Sequence, residues 1–432
     1  MATGLKTPAK APPETCARPA PAVHAPEPGP AQGMRYVARQ PILDLRGKVH
    51  AYELLFRDGP GAVFHGNGDV ATRTMIDNAV VYGLGKLTGN LPVFLNCTEE
   101  ALTGRLVRLL PASMTVLEIL ETVEPTPALV NACRLLKANG FRLALDDFTW
   151  KPGMEALVQI ADYIKVDFVL SGAAERRQIL DRLRGLNVAL IAEKVETQEE
   201  YLTARKEGFT LMQGYYFCRP VVIENRQVPA NRLQQVEILR LLQSESMDLP
   251  ELASLVRQDP SLTYRLLRLI NSPVCAMRQE VQSIEAALIV IGEEAFRRMA
   301  TLAIASELNG GQPMELLRMA FVRGRFCELG SLLCRLSPAE QYLLGLLSLL
   351  PAMLRVPMSD LSPLLPLRDR IQRALQGENL PERTLLCWLE GHEKGDWAIC
   401  DMVAESQGLN PADLLLCYEE SLHWAEAALH FA

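Results

Sequence analysis

Seven short segments in the first half of the chain end in side chains that could hold a cation or move a proton. In order they are YEL with Glu53, VFLN with Asn96, VLEI with Glu118, RLALDD with Asp146 and Asp147, YIKVD with Lys165 and Asp167, LIAEKVE with Glu193 and Glu196, and LMQGYYF with Gln213. Each polar group arrives at or near the end of a run of β-formers. Several carboxylates and an amide brought to one mouth would repel one another unless cations sat between them. An oxygen-rich donor set suits Mg²⁺, Mn²⁺ or Ca²⁺. Two such ions about 4 Å apart suit in-line attack of water on a phosphodiester. Taken singly, each group has a plainer role. An Asp-Asp pair after a strand caps a helix, the lysine of IKVD partners a carboxylate, and Glu193 and Glu196 suit the first turn of a helix. It is their joint order along one unit that points to a shared site.

The segments that carry these groups read as strands. They are expected at Val49–Leu55, Val93–Asn96, Thr115–Ile119, Arg142–Leu145, Tyr163–Val166, Ala189–Ala192 and Leu211–Phe217. Helical periodicity separates them at Asp69–Leu87, Pro127–Asn139, Met154–Ile160, Ala174–Leu186 and Thr197–Glu207, with Gly140 and Gly208 as stops. Such alternation implies parallel strands with right-handed crossovers, as a β/α barrel or a doubly wound sheet. In a barrel the strand ends meet at one face, where active sites lie. From about residue 230 leucine becomes dense and strands vanish. Val236–Gln243, Leu249–Arg257, Pro260–Ile270, Ser283–Val290, Glu293–Leu308, Met314–Leu336 and Pro338–Leu350 read as amphipathic or buried helices. The plan is an α/β unit plus an all-α unit. A Pro/Ala-rich tail over 1–34 is expected to be disordered. The α/β unit covers 35–222, a linker 223–232 and the helical unit 233–432.

The length of 432 residues accommodates two folded units, and 49% hydrophobic residues supply their cores. The net charge of −7 argues against binding long nucleic acids, which needs clustered Lys and Arg. It also offers no attraction to an anionic membrane. Ten scattered cysteines without a C-x-x-C read as free thiols of a reducing compartment. The six histidines form no H-x-x-x-H, so no zinc site is expected. Tyr342–Leu354 is too short to span a bilayer, and no signal peptide is visible. The cytoplasm is the expected location.

The order RQPILDLRGKVHAYELLFR, VFLNCT, VLEILE, LALDDF, YIKVD, AEKVET and MQGYYFCRP, between residues 36 and 221, resembles the EAL family of cyclic di-GMP phosphodiesterases. The resemblance implies a modified β/α (TIM-like) barrel whose first strand runs against the others. By motif it implies Glu53, Asn96, Glu118, Asp146 and Asp147 as ligands of two Mg²⁺ or Mn²⁺ ions. Arg57 matches the arginine that contacts the ligand phosphate. Lys165 and Glu193 match groups around the attacking water, and Glu196 and Gln213 match supporting positions. Glu121 matches the acid that steadies the loop after Asp147. Three departures stand out. The name motif reads Glu53-Leu54-Leu55, with Leu for Ala. The family's D-D-F-G-x-G loop here reads Asp146-Asp147-Phe148-Thr149-Trp150-Lys151, without its glycines. Lys194 replaces a glycine beside Glu193, bringing a positive charge close to the acids. EAL-type barrels pair through the altered loop, so either a different homodimer or a monomer follows.

The helical half carries a second resemblance. LPELASLVRQDPSLTYRLLRLINSPV and SIEAALIVIGEEAFRRMATLAIASEL look like the HDOD domain of bacterial regulators. Related phosphohydrolases use a His-Asp pair on metal. The corresponding helix, Leu343–Met353, has neither residue, so this half reads as a packing or partner-binding module. The combined resemblance implies a bacterial signalling protein whose barrel is degenerate. It would bind cyclic di-GMP or a partner with weak or no turnover, and its HDOD half would contact other signalling proteins. The alternatives are an active Mg²⁺- or Mn²⁺-dependent phosphodiesterase giving linear pGpG, and a ligand-free scaffold.

Overall fold

The computed structural model of the chain describes residues 35–58, 84–104, 106–218, 230–243, 253–254, 256–257, 260–271, 281–365 and 367–429. The expected tail over 1–34 lies outside them, as does most of Asp69–Leu87 and of Leu249–Arg257.

Eight strands close into a barrel in sequence order: β1 (Arg35–Asp44), β2 (Val49–Asp58), β3 (Val93–Cys97), β4 (Thr115–Ile119), β5 (Arg142–Leu145), β6 (Tyr163–Asp167), β7 (Ala189–Glu193) and β8 (Leu211–Gln213). β1 is antiparallel to both β2 and β8, and the other neighbours are parallel. This settles the choice between barrel and doubly wound sheet, with the reversed first strand that the family resemblance implies. Helices α1 (Leu84–Thr88), α2 (Glu99–Thr103), α3 (Pro127–Ala138), α4 (Glu155–Val158), α5 (Ala173–Leu183) and α6 (Gln198–Glu207) lie in the connections. α6 shows why the pattern was readable. Thr197 and Glu200 form a reciprocal capping box, and Gly208 ends the helix in the left-handed region at φ 106°.

The largest departures from the sequence reading are at β1 and β8, while β2, β3, β6 and β7 run one to three residues further than expected. β1 was hidden because Pro41 sits in its middle, and proline lacks a ladder donor. The structure tolerates it because β8 pairs with β1 only from Ile42 onward, leaving one side of Pro41 unpaired. The expected strand Leu211–Phe217 stops at Gln213, and Tyr216–Cys218 is a short 3₁₀ turn. Gly214, at φ 142°, forces the break. A Cβ there would lie 2.1 Å from the Val195 carbonyl, so the chain turns tightly over the end of β7.

Inside the barrel Ile42, Ala51, Phe94, Val116, Ala144, Tyr163, Ile191 and Leu211 form one packed apolar layer. It closes the barrel beneath the mouth, as layered side chains do in this fold.

The second unit is helical throughout its described residues. It contains α7 (Ala230–Leu242), α8 (Pro260–Ile270), α9 (Ile284–Ile291), α10 (Glu293–Asn309), α11 (Met314–Cys334), α12 (Pro338–Leu347), α13 (Leu350–Leu354), α14 (Met358–Leu361), α15 (Asp369–Leu375), α16 (Thr384–Lys394), α17 (Trp397–Gln407) and α18 (Pro411–Leu429). α7 begins at Ala230, so the last three residues of the expected linker are helical. α11 is the spine, buried along most of its length. α12 crosses it at very short range, because a Cβ on Gly345 would lie 2.2 Å from the Arg323 carbonyl. The stretch Leu343–Met353 falls on α12 and α13 as buried core, and carries no metal-binding side chain. The eight cysteines among the described residues are free. No helix among the described residues is long and apolar enough to cross a membrane.

The two units are joined by buried polar contacts. The Tyr52 hydroxyl donates to Glu315 Oε2 at 2.8 Å. The Tyr215 hydroxyl donates to the Glu393 carbonyl, and Arg323 holds the Glu393 carboxylate through two bonds of 3.0 and 2.6 Å. His392 is fully buried in a box of Trp388, Trp397 and Tyr418 rings. Its Nε2 lies 3.1 Å from the Val37 carbonyl, which can only accept, so the proton sits on Nε2 and Nδ1 is left without a partner.

Burial holds the imidazole neutral and pushes its pKa down from 6.5 to about 4. The unfolded chain takes this proton near 6.5 and the folded chain only near 4, so stability is lost as pH falls through that window. The loss attributable to His392 is about 3 kcal/mol between pH 7 and pH 4. Urea unfolding at the two pH values should show it in the parent chain and not in His392→Phe. An equal pH response in both would refute the assignment.

Candidate active site

Side chains two positions apart share a strand face. Two positions up from the apolar layer the barrel therefore carries a second ring: Gln40, Glu53, Asn96, Glu118, Asp146, Lys165, Glu193 and Gln213. Each strand or strand end contributes one member. On the reversed β1 the step runs backwards, from Ile42 to Gln40. The ladder sets Gln40 opposite Glu53 and Asn96 opposite Glu118, while the stagger of the tilted strands sets Glu53 against Phe94, Glu118 against Ala144, Lys165 against Ile191 and Gln213 against Ile42.

Lys165 stands at the centre. Its Nζ lies 3.1 Å from Glu53 Oε2, 2.7 Å from Glu118 Oε1, 2.9 Å from Asp146 Oδ1 and 2.8 Å from Glu193 Oε1. An ammonium has three N–H donors, so it cannot serve four carboxylates equally. Glu53 and Asp146 receive aligned hydrogen bonds. Glu118 Oε1 comes within 2.7 Å of Nζ but not at the angles of an aligned hydrogen bond. Glu53 is the best supplied of the acids. Asn96 Nδ2 donates to its Oε1 at 3.0 Å, and Gln213 Nε2 to its Oε2 at 2.6 Å.

The charges divide accordingly. Burial opposes ionisation of Glu53, but Lys165 and the amide donors outweigh it and hold its pKa below the usual carboxylate value. Burial and the neighbouring Glu53 push Glu118 well above that value. Burial raises Asp146, against the pull of Lys165. Glu193 is pushed up to about 8, chiefly by burial. Burial disfavours the charged form of Lys165, yet Glu118, Glu193, Glu53 and Asp146 together carry its pKa well above 10.5. One ammonium thus stabilises one full carboxylate and leaves the rest of the ring short of positive charge.

The shortage is visible atom by atom. Asn96 Oδ1, both Glu118 oxygens, Asp147 Oδ1, Glu193 Oε2 and Gln213 Oε1 are buried without a hydrogen-bond partner. Each such acceptor costs about 1–3 kcal/mol if left so. All are hard oxygen donors, and they fit a Mg²⁺ or Mn²⁺ ion. Among the described residues no three acids are already splayed around a ligand point. The ion pairs give the reason: the carboxylates are turned onto Lys165.

Beside the ring, Asp147 has φ 37° and Lys194 has φ 54°. Lys194 thus occupies, in left-handed conformation, the position where the family pattern has glycine. Its Nζ bonds Asp167 Oδ2 and stands 3.9 Å from Asp147 Oδ2. Asp167 also accepts the Val169 and Leu170 amides at 2.6 and 2.9 Å. Although burial works against ionisation, the Lys194 bond and these amides keep the Asp167 carboxyl below its ordinary range. Asp147 is shifted the other way, by burial and by Asp146.

The altered loop is held by partners outside the ring. Lys151 Nζ donates to the Glu121 main-chain carbonyl at 2.8 Å, so Glu121 meets the loop through its backbone. Trp150 stacks edge-on with Phe148 at 5.3 Å and lies under the Arg182 guanidinium of α5. Thr149 is half-buried between Phe148 and Trp150. Glu196 is exposed before α6, where its amide is held by Glu200 Oε2 at 2.7 Å. It lies outside the set of acids around Lys165. Arg57 is on β2 opposite Tyr36, and its side chain lies outside the described residues. One member of the site escaped the sequence reading, and the partner of another was not foreseen. Gln40 could have been found by stepping two residues back from Ile42, had β1 been seen as a strand. Asp167 was visible as a strand-end acid, but its pairing with Lys194 depends on the turn after β7.

The EAL domain model matches residues 89–220 and the HDOD domain model residues 229–353. The cyclic di-GMP phosphodiesterase CdgJ of Vibrio cholerae is 32% identical over 398 residues, covering 90% of this chain and 92% of that protein. The uncharacterized protein YuxH of Bacillus subtilis is 31% identical over 400 residues, covering 90% and 97%. A solved structure, a standalone versatile EAL protein from Vibrio cholerae O395 in its c-di-GMP-bound form, aligns with a TM-score of 0.36 at 24% identity, over 43% of this chain and 92% of that one.

Lys194 gives a direct test of the site's charge balance. Lys194→Gly relieves about 1 kcal/mol of left-handed strain and removes a half-exposed ion pair worth less than about 1 kcal/mol. Stability should therefore change by no more than about 1 kcal/mol. Mg²⁺, titrated calorimetrically, should bind more tightly once the ammonium near Asp147 is gone. Unchanged or weaker Mg²⁺ affinity would show that Lys194 does not compete with a cation.

Proposed function

The chain belongs to the EAL–HDOD family of cyclic di-GMP signalling proteins, and on that premise we propose that its barrel binds cyclic di-GMP at the acid ring with slow or no hydrolysis. The helical unit passes the resulting state to another signalling protein, in the cytoplasm. The observation that carries this reading is Lys165, buried within 3.1 Å of four carboxylates. The full set of oxygen donors is present, but it is organised around an ammonium. The chain can then exist without divalent ions, and any ion must compete with Lys165 for the same oxygens.

In the ligand-bound state Glu53, Asn96, Glu118, Asp146 and Asp147 would hold Mg²⁺ or Mn²⁺, and Arg57 would take a phosphate. Such a pair of ions lowers the pKa of water and neutralises a phosphodiester. Glu193 then decides whether turnover follows. With its pKa raised to about 8 it holds a proton at neutral pH and makes a poor base. Added positive charge nearby would lower that value and let Glu193, oriented by Lys165, accept the proton. Gln213 supports Glu53, and Glu196 lies at the rim. The Thr149–Lys151 loop, tied to Glu121 and α5, is not free to pair barrels in the usual way, so any homodimer uses another face.

The unsatisfied oxygens of Glu118, Asp147 and Glu193 favour a second reading, an active phosphodiesterase producing linear pGpG. Two measurements separate the readings. Calorimetry with cyclic di-GMP, with and without Mg²⁺, should show binding that strengthens with the ion. Chromatography of the same mixture with Mn²⁺ should show little linear product over hours. Rapid turnover that disappears in Glu53→Ala would establish the second reading. No heat at high micromolar ligand would remove both and leave a scaffold.

A further inference from the structure

Two primary amides stand in series between Glu53 and the helical unit. Gln213 Nε2 donates to Glu53 Oε2 at 2.6 Å and to Gln40 Oε1 at 3.1 Å. Gln40 Nε2 donates to the Lys394 carbonyl at 3.3 Å, in the last turn of α16. Gly395, the left-handed cap of that helix, sits against the same wall. A Cβ there would lie 2.9 Å from Leu55 Cδ1. Leu55 is two residues beyond Glu53 on β2, so it shares the inward face. The corner between α16 and α17 is therefore part of the barrel mouth.

The chain of donors has one polarity. A carbonyl only accepts, so Gln40 must point its NH₂ at Lys394 and its oxygen at Gln213. Gln213 must then point its NH₂ at Gln40 and Glu53, which leaves its own oxygen buried and unpartnered. A divalent cation on Glu53 reverses the demand at the inner end. It repels the NH₂ and attracts the amide oxygen. Half a turn of Gln213 satisfies the cation but sets oxygen against oxygen at Gln40. The same half turn of Gln40 relieves that clash and places its oxygen against the Lys394 carbonyl, where no hydrogen bond forms.

We propose that Gln213 and Gln40 form a two-amide relay that couples cation occupancy of the acid ring to the grip of the α16–α17 corner on the barrel mouth, with Gln40 as the positioning residue. The relay deepens the reading of the ring as a cation site and rests on it. A loaded ring releases the corner, and by linkage a loosened corner favours loading by the same factor. The Tyr52–Glu315 and His392–Val37 bonds lie outside the relay and keep the units joined in both states.

Hydrogen exchange of the full chain, followed in peptides covering 389–397, tests this with Mg²⁺ alone as the probe. The amides of Gly395 and Asp396, bonded to the His392 and Gly391 carbonyls, are the reporters. Losing one hydrogen bond predicts about fivefold faster exchange when Mg²⁺ is added. In Gln40→Met, which keeps side-chain length without hydrogen bonding, exchange should be fast with and without Mg²⁺. Tyr52→Phe, which cuts a different contact between the units, should keep the Mg²⁺ response. Melting curves verify that both variants fold. Equal exchange with and without Mg²⁺ in the parent chain overturns the relay, as does a response that persists in Gln40→Met. A present Mg²⁺ response with no calorimetric signal for cyclic di-GMP would defeat the proposed function and leave the relay standing.

Discussion

A single ammonium group buried in a barrel sets the terms for this protein. Lys165 is 1% exposed and is surrounded by four acids from four strands. Neither partner could be buried alone, because an isolated charge in such a place would be neutralised or expelled. The lysine and the acids therefore require one another, and each fixes the strand that carries it. The barrel's closed register and its polar ring are two views of one constraint. A one-residue slip in β2 or β4 would turn Glu53 or Glu118 outward and put an apolar or aromatic neighbour against the lysine.

That constraint also shapes the surroundings. The ring has more carboxylates than one lysine can satisfy, and a second lysine stands close by. Lys194 accepts a strained backbone conformation and delivers its charge mainly to Asp167, one step outside the ring. The positive charge is thus spread around the acids. The helical unit enters the same scheme through Gln40 and the corner at Gly395. Three of its other contacts, at Tyr52, Tyr215 and His392, attach within two residues of a ring member or to the strand that carries Gln40. Docking of the helices and definition of the site are consequently hard to separate.

Much of this was legible in the sequence. Three strands, Thr115–Ile119, Arg142–Leu145 and the core of Tyr163–Asp167, show as β-rich runs bounded by turn signals, and their polar ends fall where the ring needs them. α6 announces both its ends through Thr197 and Gly208. The first strand did not show, because Pro41 disguised it, and Gln40 was lost with it. The partners of Lys194 were beyond reach for a different reason. Spacing along a chain says which residues share a strand face, but not where a long side chain at a left-handed turn will point. The same limit applies to Lys165. Its position at a strand end was plain, while its place at the centre of the acids is a property of the closed ring.

The reversal of β1 has a topological result. Arg35 pairs with Asp58, and Asp44 pairs with Leu211 at the start of β8. The polypeptide thus enters the barrel at its open rim and leaves the first strand at the closed floor. In an all-parallel barrel the leading end would emerge on the floor, remote from the chemistry. Here Arg35, the first described residue, stands at the rim above the acid ring. The start of the first strand is thereby a privileged neighbour of the site.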